Sequence, residues 1–216
     1  MAVRKKSLEI VLIEGISDTD RGQEMPILKE FFGMLDWECK PRKAHGLASA
    51  KHNRAAFLEA LLQTKSRFVH VSAHGSGSDL TVDRYAPNEA RTNLRDIMDF
   101  CQTKGLRAPL SGRFVTISAC GDIAPSYALG LHKHAEVTAV ITPLASLDFH
   151  ESALFTMMFY FTLLAPPGRK KVRNRSERLA QYIDSFNRTK IAYLNVGGSG
   201  AHRLDYWWRG EHTTIN

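Results

Sequence analysis

Short apolar runs alternate with segments of helical spacing along most of the chain. Runs rich in Val, Ile, Leu and Phe, typical of buried strands, occupy residues 8–13, 67–72, 113–118 and 137–142. Apolar residues at helical spacing occupy residues 26–35, 48–65, 93–104 and 125–135. Strands that alternate with helices favour a mostly parallel sheet covered by helices on both faces. The sequence therefore predicts an α/β fold built as a three-layer sandwich.

Turn and cap residues predict where several of these elements begin and end. The glycine-rich segment 73–77 follows the second apolar run and is predicted to be a turn, with residues 79–82 as a small hairpin arm. Asp148 and Glu151 have the spacing of a capping box, so Asp148 is the predicted N-cap of the helix that follows.

The last third of the chain contains one unusually apolar helix and no domain boundary. Residues 152–164 are apolar on nearly all sides of a helix, which indicates either burial or a contact face for a second copy or a regulatory protein. We predict a last helix over residues 176–190 and a last strand over 191–196. Since no repeat or long linker interrupts the chain, residues 1–216 are predicted to form one domain.

Composition and cysteine usage point to a soluble protein of the cytoplasm. Hydrophobic residues make up 44% and charged residues 24% of the chain, which is ordinary for a soluble domain. The longest strongly apolar stretch, 153–165, is too short to span a bilayer, and no secretory signal is visible. Cys39, Cys101 and Cys120 are odd in number and form no C-x-x-C pair, which argues against a disulfide framework or a thiolate zinc site.

The chain is basic, with a formal net charge of +7. Much of this charge lies in residues 4–6 and 169–178, which are either solvated or form a contact for an acidic partner. Neither run is interleaved with the aromatic residues that base stacking requires, so nucleic-acid binding is a lesser alternative.

Two chemically active residues follow two of the predicted strands. His74 comes shortly after the run at 67–72, and Cys120 comes 46 residues later, after the run at 113–118. The carboxyl ends of neighbouring parallel strands meet at one edge of a sheet, where ligands bind. An imidazole near a thiol can take its proton and later return it to a leaving amine. Either residue alone is more commonly structural, but the paired pattern is more specific.

The segments that carry these residues resemble the catalytic motifs of a known family. FVHVSAHGSGSDL and FVTISACGD, with the segment 137–165, look like the corresponding parts of caspase-like cysteine peptidases of the CHAT group. The resemblance implies a caspase-like sandwich and a bacterial signalling or defence peptidase with His74 as base and Cys120 as nucleophile. The backbone N–H groups of Gly75 and Cys120 would form the oxyanion hole. No metal or organic cofactor is expected, and the substrate is expected to be a protein.

The resemblance leaves the specificity of such a peptidase open. Ser118 stands where caspases have Gln and metacaspases have Asp, at a position that helps line the pocket for the residue before the cut. Asp18 and Asp20 follow the first strand and would favour a basic residue there, and Asp122 and Asp148 are further candidates for this pocket. The alternative to an enzyme is a catalytically silent binding module with the same fold.

Overall fold

A computed structural model describes residues 9–16, 24–82, 91–119, 123–145, 147, 149–164 and 174–216. These residues form nine strands and six helices. The strands are β1 (Glu9–Glu14), β2 (Glu38–Lys43), β3 (Phe68–Ser76), β4 (Asp79–Thr81), β5 (Arg91–Thr92), β6 (Phe114–Ala119), β7 (Ala139–Pro143), β8 (His202–Trp208) and β9 (Glu211–Ile215). The helices are α1 (Met25–Met34), α2 (Ala50–Leu62), α3 (Leu94–Thr103), α4 (Pro125–Ala135), α5 (Phe149–Leu164) and α6 (Arg175–Asn195).

The main sheet is mixed but mostly parallel. Its strand order is β2-β1-β3-β6-β7-β8-β9, and the small strands β4 and β5 extend from β3. The first five strands of this order run parallel, whereas β8 and β9 are each antiparallel to their neighbour. The prediction of an α/β fold with a mostly parallel sheet is confirmed.

Helices cover both faces of the sheet. One apolar cluster joins the sheet to α2, α3 and α4, with Phe57, Ile97 and Leu131 among its buried members. The other joins the opposite face to α1, α5 and α6. The buried runs of β3 and β6 supply side chains to both clusters, because successive residues of a strand point to opposite faces. This layering is compatible with a three-layer sandwich.

The predicted last strand at 191–196 is wrong. α6 continues to Asn195, and the final strands are β8 and β9. Buried positions at Phe186, Thr189 and Tyr193 keep helical spacing to the end of α6, while Ile191 and Leu194 are exposed. The segment is rich in apolar residues, as a strand would be, but Ile191 and Leu194 lie on the exposed face of α6.

The predicted turn at 73–77 is also wrong in its limits. β3 continues through Ser76, and its last residues pair with β4, with Ser76 opposite Asp79. The turn is formed by Gly77 and Ser78, and Gly77 has a φ of +56°. Glycine adopts this left-handed conformation without the steric cost that other residues have. His74 therefore lies within a strand, and the predicted hairpin arm after it is confirmed.

The apolar helix α5 is buried on one side and exposed on the other. Phe155, Phe159 and Leu163 are buried in the cluster shared with α6, whereas Leu154 and Phe161 are 42% and 54% exposed.

Among the helices of the described residues, none has the length and apolar character needed to cross a membrane.

One buried histidine makes the fold sensitive to acid. His202, on β8, stacks on the ring of Phe155 with 3.7 Å between ring centroids. Within the described part of the chain, neither of its ring nitrogens has a hydrogen-bond partner. Burial lowers the pKa of His202 to about 3, and Lys190 contributes in the same direction. The folded protein therefore holds this imidazole neutral.

We expect this histidine to weaken the fold as the pH falls below about 6.5. The unfolded chain takes up a proton near that pH and the folded protein does not, at up to about 1.4 kcal/mol per pH unit. Between about pH 7.5 and 5, the wild type should lose about 2 kcal/mol more free energy of unfolding than His202→Gln. Urea unfolding at both pH values measures this, with exposed His52→Gln as control. Equal losses in wild type and His202→Gln would contradict the assignment.

Candidate functional site

The half-buried residue His74 lies in the part of β3 that reaches past the parallel sheet. Its Cα pairs with that of Thr81 in the β3–β4 hairpin. The residue before it, Ala73, pairs with Ala119 at the end of the neighbouring parallel strand β6. The sheet thus brings together the chain directly before His74 and the chain directly before position 120.

The described residues on both sides of positions 120–122 are tied to the chain around His74. Before them, Ala119 pairs with Ala73. After them, Ile123 forms a β-bridge with Gly77, and the N–H of Ala124 donates to the Gly77 carbonyl at 2.8 Å. Two separate connections therefore hold Ala119 and Ile123 beside the chain around His74.

Most of the predicted site residues lie outside the described part of the chain. These are Cys120, Asp122, Asp18, Asp20 and Asp148.

Of the remaining candidates, Gly75 and Ser118 occupy different environments. Gly75 is half-buried and lies opposite Leu80 in the hairpin. Ser118 is fully buried near the end of β6. Its Cα pairs with that of Ser72, two residues before His74 along β3.

Ser118 hydrogen-bonds to a carboxylate that the sequence analysis did not identify. The hydroxyl of Ser118 donates to Oε2 of Glu24 at 2.8 Å, and Nε2 of His70 lies 2.8 Å from Oε1 of the same carboxyl group. Glu24 is 1% exposed and His70 is fully buried. A carboxylate accepts hydrogen bonds only, so both neighbours donate to it. Glu24 thereby ties the start of α1 to β3 and β6.

The polar network continues from His70 into the core under α5. Nδ1 of His70 lies 2.8 Å from the hydroxyl of Thr116, which lies 3.2 Å from the hydroxyl of Tyr160. Burial raises the pKa of Tyr160, so this phenol remains neutral. An unpaired buried polar group lowers the stability of the fold, whereas a fully hydrogen-bonded network holds its side chains rigidly. We refer to Glu24, His70, Thr116, Ser118 and Tyr160 as the buried polar network.

Strand alternation places this network and His74 on the same face of β3. Residues 70, 72 and 74 share one face, and so do residues 116 and 118 of β6. His70 is visible in the sequence as a polar residue inside the mostly apolar run FVHVSA. Glu24 gives no comparable signal, because a lone Glu before Pro26 reads as an ordinary helix start. Only the fold turns its side chain into the core.

Four of the six basic residues in the run at 169–178 lie outside the described residues. Arg175 begins α6, and its guanidinium lies 3.4 Å from the hydroxyl of Thr138.

Across the described ranges, the structure contains no group of three His, Cys, Asp or Glu side chains arranged to hold a metal ion.

A comparison with protein-family models gave no match to this chain, and a comparison with curated proteins gave none either.

Proposed function

We propose that this protein is a cysteine endopeptidase that uses His74 and Cys120 as a catalytic dyad. The observation that carries the proposal is the pairing of Ala73 with Ala119. Adjacent strands lie about 4.8 Å apart, and each trans peptide advances the chain by about 3.8 Å between Cα atoms. His74 and Cys120 are the next residues along the chain after this pair, so the pairing supports a dyad between them.

Two further observations support the proposal. Strand alternation puts position 74 on the face of residues 70 and 72 of β3, which is also the face of residues 116 and 118 of β6. The bridge from Ile123 to Gly77 returns the chain after Cys120 to the hairpin that holds His74. A dyad needs its two side chains close in space, and contacts on both sides of Cys120 favour this.

The chemistry of such a dyad follows from the two side chains. His74 takes the thiol proton of Cys120, and the thiolate attacks the carbonyl carbon of a peptide bond. The backbone N–H groups of Gly75 and Cys120 stabilise the oxyanion. His74 then returns the proton to the leaving amine, which leaves a thioester that water hydrolyses. This sequence balances without a metal or an organic cofactor.

The preference for a basic residue before the scissile bond, inferred from Asp18 and Asp20, stays part of this proposal. The resemblance adds the setting, and we propose a limited cleavage of protein partners, after basic residues, in a bacterial signalling or defence system.

Selective alkylation tests whether Cys120 is an activated thiol. Burial raises the pKa of Cys39 to about 11, against a smaller opposing effect of Lys29, and burial also raises the pKa of Cys101. Both are therefore almost wholly protonated at neutral pH and should react slowly with iodoacetamide. We expect Cys120 to react at least about 10-fold faster than either, as measured by mass spectrometry of the labelled peptides.

The same experiment separates an enzyme from a silent binding module. If Cys120 reacts no faster than Cys39 and Cys101 in the folded protein, the dyad is refuted and the binding module is favoured. If it reacts faster, new peptide termini that appear in a cell extract with the wild type, but not with Cys120→Ala, identify the substrates. Lys or Arg should precede those cuts, and a consistent acidic residue there would refute the proposed preference.

A further inference from the structure

A buried arginine on β8 connects the far side of the sheet to the candidate site. Arg203 is 2% exposed. Its Nε donates to Oδ2 of Asp205 at 2.7 Å, and its Nη2 donates to the carbonyl of Ile123 at 3.3 Å. A buried guanidinium needs such partners, because an unpaired charge in the core is strongly unfavourable.

Asp205 is itself held by the last strand. It is fully buried, and its Oδ1 accepts from the hydroxyl of Thr214 at 2.7 Å and from Nε2 of His212 at 3.0 Å. Both carboxylate oxygens are therefore occupied, one by Arg203 and the other by β9. This fixes the orientation of the guanidinium that faces Ile123.

The carbonyl that Arg203 binds belongs to a residue that also contacts the His74 hairpin. Ile123 forms the bridge with Gly77, and the adjacent Ala124 donates to the Gly77 carbonyl at 2.8 Å. Gly77 follows Ser76, the last residue of β3, so the hydrogen-bonded path runs from β9 through Asp205 and Arg203 to the hairpin of His74. All the groups in this path are side chains or backbone atoms of described residues.

We propose that Arg203 is a positioning residue for the peptidase dyad, which sets the place of the Ile123 carbonyl and of the hairpin that holds His74. This inference rests on the proposed function. Arg203 itself touches neither the substrate nor the reacting atoms. Small displacements of catalytic groups, on the order of 1 Å, can reduce rates by about 10²-fold. A guanidinium with two fixed hydrogen bonds prevents such displacement, whereas a single ammonium group cannot make both bonds in the same geometry.

The test uses iodoacetamide as the probe and the pH profile of Cys120 alkylation as the readout. In the wild type we expect a midpoint below that of an ordinary thiol, which is about 8.5. In Arg203→Lys we expect the rate at pH 7 to fall about 10-fold and the midpoint to move toward the ordinary value. A purely structural role would lower the unfolding midpoint in urea and leave the alkylation profile of the folded protein unchanged.

The matched control is Arg113→Lys. Nε of Arg113 donates to the carbonyl of Ser66 at 3.1 Å, at the opposite end of β3 and β6. It therefore loses the same kind of side chain to backbone bond at a distance from His74. We expect its alkylation profile to match that of the wild type.

A second variant decides the question if Arg203→Lys does not fold. Thr214→Val removes one hydrogen bond to Asp205 from an exposed position of β9 and leaves Arg203 in place. It should move the profile in the same direction by a smaller amount. Wild-type profiles for both Arg203→Lys and Thr214→Val, or for Thr214→Val when Arg203→Lys is unfolded, would overturn this inference alone. An ordinary thiol profile in the wild type would overturn the proposed function and this inference with it.

Discussion

Replacing His74 with alanine is expected to slow cleavage by about 10²–10⁴-fold, the usual contribution of a general base. Without the imidazole, Cys120 is mostly a neutral thiol near pH 7, and the leaving amine has no proton donor. The initial rate on a protein substrate identified with the wild type measures the effect. Cys120→Ala should abolish cleavage, because no other group in the proposal forms the thioester.

His52→Ala is the control for this prediction. His52 is an exposed histidine on α2, and its contact is with the hydroxyl of Ser49 at the start of the same helix. Its removal should leave the cleavage rate within about 2-fold of the wild type, as expected for a surface substitution. A His74→Ala protein that is folded and keeps more than about a tenth of the wild-type rate would remove His74 from the mechanism.

Breaking the buried polar network from one side should cost about 1–3 kcal/mol of unfolding free energy. In His70→Leu, the carboxyl group of Glu24, which is 1% exposed in the wild type, loses its hydrogen bond with His70 and keeps the one from Ser118. The stability falls because the buried carboxyl group loses a hydrogen bond that neither water nor the new leucine side chain replaces. Urea unfolding, followed by circular dichroism, measures the change.

A double variant separates the cost of a lost hydrogen-bond partner from the cost of changed packing at position 70. Glu24→Leu combined with His70→Leu removes both polar groups, so it should be more stable than His70→Leu alone. An exposed pair, Arg95 with Asp99 on α3, is the control, and removing either partner should cost less than about 1 kcal/mol. If the double variant is the less stable of the two, the interpretation that His70→Leu leaves Glu24 without a needed hydrogen bond is wrong.

The sequence predicted the core of the fold because the buried strands have a distinctive residue composition. The runs around Phe68 and Phe114 are dominated by apolar and β-branched residues, which is typical of parallel strands covered on both faces. The end of α6 was missed because a short apolar segment fits a strand and a helix equally well without knowledge of its neighbours. Its exposure is a property of the folded protein.

The residues of the candidate site also divide into those that the sequence indicated and those that only the fold revealed. His74 and Cys120 were selected from the sequence by residue type and by their place after two strands. Glu24, Arg203 and Asp205 were not, because each looks like an ordinary surface charge until the fold encloses it.

The sequence by itself determined which segments are strands and helices in most of the chain, and which residues are chemically able to act. These properties depend on local spacing and residue type, which can be read from the sequence alone. Only the tertiary structure decided that Ala73 lies opposite Ala119 and that Arg203 reaches the carbonyl of Ile123. Such contacts join residues far apart in sequence, and the register of strands and the burial of charges that fix them arise only when the sheet and its helices pack together.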